Sequence, residues 1–172
     1  RWQVDIDQYR SEYLKEHFAG HRLSEVCGAY LDGLQWVLEY YLCGVPDWEW
    51  MYPMHHAPTA FDLSRHIPTY SPPSWPRSAP TPPLAQLLSV LPPKSARLLP
   101  DALGDLLWQG KSPLHPFCPV SFDIDLSGKR REWEGIAMLP FLDYKLVFKL
   151  YRNHISRIDS RAKRRNIHGR SF

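Results

Sequence analysis

The chain is short of cysteine, of long apolar runs and of net charge, and each shortage removes a class of function. Its three cysteines, Cys27, Cys43 and Cys118, are odd in number and fit neither a disulfide framework nor a zinc pattern. They are expected to be reduced core thiols of an intracellular protein. No apolar run reaches the roughly 18 residues that would read as a membrane span, and no signal-peptide pattern stands at the start. A formal net charge of +3 over 172 residues argues against a strongly basic protein that coats nucleic acid. No internal repeat is apparent. The chain opens on Arg1 rather than Met and runs at once into an amphipathic pattern, which is expected of a piece of something longer.

What is present is unevenly placed. Hydrophobic residues make up 44%, enough for a sizeable core and too many for a disordered chain. Seven of the 17 prolines fall in 67–83, which reads as an extended, polyproline-like loop between two cores rather than a domain linker. The 7 tryptophans and 9 tyrosines suit both cores and base-stacking surfaces. The last third holds a basic tail at about 145–170, where Lys145, Lys149, Arg152, Arg157, Arg161, Lys163, Arg164, Arg165 and Arg170 face few acids. Such a tail can meet phosphate while the whole chain stays near neutral.

Periodicity predicts a mainly α-helical fold with one β-hairpin and long proline-rich loops. Val4, Ile6, Tyr9, Tyr13, Leu14 and Phe18 mark a first helix, with helical spacing from Tyr9 onward. Ser24 is the predicted cap of a second, from about Glu25 to Leu42, apolar on so many faces that it should be buried nearly all round. Gly44 and Pro46 should stop it. Short helices are predicted for Leu84–Leu91 and Leu98–Trp108. Phe122 to Leu126 alternates like a half-buried strand, Ser127-Gly128 supplies a turn, and Trp133 to Met138 returns. Asp143 should cap a last helix running to about Ile158.

Several stretches, in this order, carry a resemblance. They are Gly33 to Trp50, Tyr52-Pro53-Met54-His55-His56-Ala57-Pro58, Leu87 to Pro92, Leu98-Leu99-Pro100, Ser112-Pro113-Leu114, Phe122 to Lys129, Trp133 to Asp143 and Arg164-Arg165-Asn166. Together they resemble the second conserved region of Xrn-type 5′→3′ exoribonucleases over nearly the whole of 1–172. The resemblance implies a helical segment that packs on an α/β nuclease core absent from this chain. It also implies a parent that degrades single-stranded RNA bearing a 5′ monophosphate, with Mg²⁺ held by carboxylates of the N-terminal nuclease region. No catalytic residue and no metal ligand is expected here, and the isolated chain is expected to be inactive. A tryptophan in Trp48-Glu49-Trp50 is implied to stack on an RNA base; which of the two is open. Tyr52 and His55 are candidates to line the same cleft. His56, Met54 and Ser127 depart from the family's usual residues, which marks a divergent member.

Other readings compete. Arg161, Lys163, Arg164 and Arg165 are either phosphate contacts or a solvated helix end. His55, His56, Asp62 and His66 have no trusted metal spacing. Asp123, Asp125, Glu132 and Glu134 read as solvated charge on the outer face of the hairpin. The proline-rich loop is either an insertion or a protein-docking surface. The alternative to an exoribonuclease segment is a non-enzymatic RNA-binding or protein-docking module of a divergent paralogue. The resemblance leans to cytoplasmic rather than nuclear members.

Overall fold

Asp5 starts the first helix: its carboxylate accepts the N–H groups of Asp7 and Gln8, each at 3.0 Å, which satisfies donors that no helix turn can reach. The computed structural model describes residues 5–169, so Val4 and Arg170 lie outside the described residues. The chain is mainly helical with one two-stranded antiparallel sheet. It divides into two compact units, Arg1–Ala79 and Pro80–Phe172, and the division falls inside the proline-rich stretch.

In the first unit, α1 is Ile6–His17 and α2 is Leu23–Cys43. The predicted Ser24 cap is corrected: α2 begins from Arg22, because the Glu25 carboxylate reaches back to the Arg22 N–H at 3.4 Å and to its Nε at 2.8 Å. Gly44 closes the helix at φ 91°, a conformation that favours glycine. The expected all-round burial of α2 is also corrected. Only Val26, Cys27 and Leu31 are buried, while Leu34, Val37, Leu38, Tyr41 and Leu42 are exposed. Periodicity records which faces are apolar, but not whether anything covers them. A third helix, α3, at Ala60–His66, is an addition to the predicted set. It is capped by Thr59, whose Oγ1 accepts the Asp62 N–H at 3.2 Å.

Arg10 of α1 and Asp62 of α3 form a partly buried ion pair that ties these helices together. Asp62 is 1% exposed, and its carboxylate also accepts the Thr59 hydroxyl at 2.6 Å. Burial pushes the Asp62 carboxyl up, but the hydrogen bonds from Arg10 and Thr59 and the guanidinium charge outweigh it and hold it below the usual range. Cys27 is a buried thiol raised by burial, whereas Cys43 is exposed, so only part of the core-thiol expectation holds.

The second unit holds α4 (Pro83–Val90), α5 (Asp101–Trp108), α6 (Tyr144–His154) and α7 (Ser160–Arg165). Leu88, Leu103, Leu107, Leu114 and Val147 form its centre, each at most 1% exposed. Burying each such side chain stabilises the fold by about 1.5–3 kcal/mol. The 3-10 turn Pro93–Leu98 packs closely on α5: a Cβ on Gly104 would lie 2.7 Å from the Ala96 carbonyl oxygen. Leu98 therefore belongs to that turn, not to the helix predicted over Leu98–Trp108, which starts after Pro100. Asp143 caps α6 as expected, accepting the N–H groups of Lys145 and Leu146. The predicted run to Ile158 instead passes through a 3-10 turn, Ile155–Arg157, and Asp159 caps α7.

The hairpin is real but short. β1 (Ile124–Asp125) pairs antiparallel with β2 (Ile136–Ala137), in the register Ile124 to Ala137 and Asp125 to Ile136. Trp133 lies in a 3-10 turn, Glu132–Glu134, rather than in a strand. The expected burial of one strand face is corrected: Phe122, Ile124 and Leu126 are exposed and Asp125 is half-buried. Gly135 brings the return strand so close that a Cβ there would meet Ile124 Cγ2 at 2.3 Å.

Candidate nucleic-acid interface

The aromatic run after α2 is held by Asp47, which is 7% exposed. Its backbone carbonyl accepts the Trp36 indole N–H at 2.9 Å, and its carboxylate accepts the Glu49 N–H at 3.0 Å. The Ser78 hydroxyl also bonds that carboxylate and in turn accepts the Trp48 N–H at 2.7 Å. An Asp after a proline that turns the chain on its own backbone is common turn chemistry. Here it fixes the backbone between the two tryptophans.

That anchoring sends the two rings into different surroundings. Trp50 is half-buried: it stacks on Trp36 with ring centres 6.2 Å apart and meets Trp75 edge-on at 5.7 Å. Its ring lies over Gly33 of α2, where a Cβ would approach to 2.9 Å. Trp48 is 41% exposed, with only its backbone pinned. The proline-rich segment supplies much of the support. Tyr70 donates to Asp32 at 3.0 Å, the Trp75 indole donates to Glu39 at 3.0 Å, and Ser78 closes on Asp47. These three fasten the segment along α2 and its following loop.

Tyr52 is half-buried. Its ring meets Tyr30 edge-on at 5.6 Å and its hydroxyl donates to the His56 carbonyl at 2.8 Å. Burial pushes its phenol up to about 12. His55 beside it is half-buried, and His56 is buried with its ring stacked on His17 at 3.9 Å. Of the other two residues weighed as ligands, Asp62 is committed to Arg10 and Thr59, and the His66 Nδ1 lies 2.8 Å from the Asp62 carbonyl oxygen.

Arg161, Lys163, Arg164 and Arg165 all lie exposed on α7. None of them makes an ion pair among the described residues. Lys163 Nζ donates to the Ser156 carbonyl at 3.1 Å, and three of the four cations sit in the last turn, where the helix dipole favours them. The helix is positioned by Asn166, whose side chain accepts the Leu84 N–H at 2.9 Å and donates to the Tyr151 hydroxyl at 2.6 Å. In the hairpin, the Asp125 carboxylate accepts the Ser127 N–H at 2.8 Å and Glu134 accepts the Arg130 N–H at 3.1 Å, so both shape turns.

Sequence reading missed Asp47, Ser78 and Gly33, which decide the fate of each tryptophan. Pro46-Asp47 was a usable turn signal; the Gly33 contact has no local signature.

A family model described as the Xrn1 helical domain matches residues 7–172. The 5′-3′ exoribonuclease 2 of Cryptococcus neoformans var. neoformans serotype D (strain JEC21) is 40% identical over 167 residues, covering 94% of this chain and 15% of that protein. The 5′-3′ exoribonuclease 1 of Saccharomyces cerevisiae is 34% identical over 172 residues, covering 100% of this chain and 11% of its own length. The 5′-3′ exoribonuclease 2 of Arabidopsis thaliana is 37% identical over 148 residues, covering 82% and 14%. The chain thus spans between 11% and 15% of the length of these relatives. With a mainly helical fold and a family match across residues 7–172, the chain belongs to the Xrn1 helical domain family.

Proposed function

We propose that this chain is the helical segment of a longer 5′→3′ exoribonuclease and that it shapes the entrance for single-stranded RNA with a 5′ monophosphate. Trp48 presents the stacking face, and Trp50 is the structural ring behind it. The observation that carries this assignment is the contrast between them: Trp50 is wedged among Trp36, Trp75 and Gly33, while Trp48 keeps an exposed ring on a backbone fixed by Asp47 and Ser78. Stacking suits a nuclease that must accept every base, since each has a π-face, and it contributes about 1–3 kcal/mol per base. A fixed backbone under an exposed ring lowers the entropy lost when the base arrives.

Catalysis and Mg²⁺ belong, in this reading, to the N-terminal nuclease region of the same protein. The exposed apolar residues of α2 are suited to pack on another surface of that parent. No helix among the described residues is long and apolar enough to cross a membrane. The test is a single assay of two samples, this chain and its full-length parent, on 5′-monophosphorylated single-stranded RNA with Mg²⁺. Degradation by the parent alone is the expected result. Degradation by the 172-residue chain would relocate the catalytic centre into it, and inactivity of both would favour a binding module.

A further inference from the structure

The second unit carries a groove of about 390 Å³ between α4, the 3-10 turn Pro93–Leu98 and α7. Its floor is aliphatic. Leu87 and Leu98 open onto it from different elements and are 38% and 65% exposed. Its wall on α7 carries Arg161 and Arg165, four residues apart and therefore on one helix face. The one carboxylate in the lining, Asp159, accepts the Ala162 N–H at 2.8 Å as the cap of α7. The shape is pinned from behind by the Asn166 bridge between the Leu84 N–H and the Tyr151 hydroxyl.

We propose that this groove docks a peptide segment of a partner protein that carries leucine-like side chains next to carboxylates. Exposed aliphatic surface beside two guanidiniums matches that chemistry on both counts. The leucines offer area to remove from water, and each arginine offers a planar fork for a carboxylate. RNA fits less well, because none of the residues lining the groove is aromatic and a phosphate chain leaves the leucine floor wet. The arginines of α7 are then divided by role: Arg161 and Arg165 face the groove, and Arg164 does not line it. The groove shares no lining residue with the tryptophan-bearing loop, and the proposal stands independently of the RNA reading.

The test is fluorescence polarisation with the full-length protein and a labelled peptide, Asp-Glu-Leu-Leu-Asp-Glu-Leu, beside a control with lysine at each acidic position. The acidic peptide should bind and the lysine control should not. Leu98→Asp should weaken binding about tenfold while leaving RNA degradation unchanged, and Arg161→Glu/Arg165→Glu should weaken it by at least about as much. Equal melting temperatures of the variants keep the comparison one of binding. The proposal is overturned if the acidic peptide fails to bind, or if its binding is indifferent to Leu98→Asp. It is also overturned if the arginine double variant binds peptide normally but loses RNA affinity with a shallower salt dependence, which would make α7 an RNA track.

Discussion

At the scale of single residues, the account turns on which side chains are committed and which are available. Asp62 is committed. Removing the Arg10 side chain leaves the buried Asp62 carboxylate without its cation, so Arg10→Ala should lower the melting temperature of the first unit. The same pair predicts a pH dependence. A carboxyl held below its unfolded value of 3.8 binds fewer protons in the folded state, so its stabilisation is present above that value and is lost as pH falls through the depressed one. Thermal melts of wild type and Asp62→Asn between neutral pH and about pH 2 should converge as the pH drops. Parallel melting curves over that range would exclude the role given to Asp62. In the second unit, Leu103→Ala should cost about 2–5 kcal/mol as a cavity in a fully buried site. Leu98→Ala, at a largely exposed site, should stay within about 0.5 kcal/mol, measured by urea unfolding.

At the scale of elements, local chemistry was legible and tertiary choice was not. Asp143 and the apolar spacing of α6 predicted that helix, because cap and face are both written in neighbouring residues. The helix α3 was hidden by the prolines around it, although Thr59 and Asp62 held its capping signal. The proline-rich segment read as an extended loop, but its attachment to α2 through Tyr70, Trp75 and Ser78 depends on partners some 30 or more residues away. Apolar periodicity marks the face of α2 but is silent about what lies opposite it, so it overstates the helix's burial. Alternation over Phe122 to Leu126 overstates the hairpin, because it records a side-chain pattern and not how far two strands pair. At this scale, Asn166→Ala should loosen α7 from α4 and α6, since it removes two hydrogen bonds that bridge them. Hydrogen exchange should then rise at α7 and at the Leu84 amide, while α5 stays protected. Unchanged exchange in α7 would mean that Ile158 packing alone holds it.

At the scale of the molecule, the chain is a helical domain with exposed apolar residues on α2. Its relatives are several times its length, and their names describe 5′-3′ exoribonucleases. The family was legible in the order of its motifs along the chain. The tryptophan pair was legible only as a pair, because the two rings are separated by a fold contact rather than by sequence. The proposed division, in which Trp48 grips RNA and Trp50 supports the fold, is tested by comparing Trp48→Ala and Trp50→Ala in the full-length parent, reading RNA affinity, processive degradation and melting temperature together. Trp48→Ala should melt like wild type but bind single-stranded RNA more weakly, by about 1–3 kcal/mol, with shorter processive runs. Trp50→Ala should lower the melting temperature first. Wild-type affinity in Trp48→Ala, together with a folded Trp50→Ala that has lost its grip on RNA, would contradict the division.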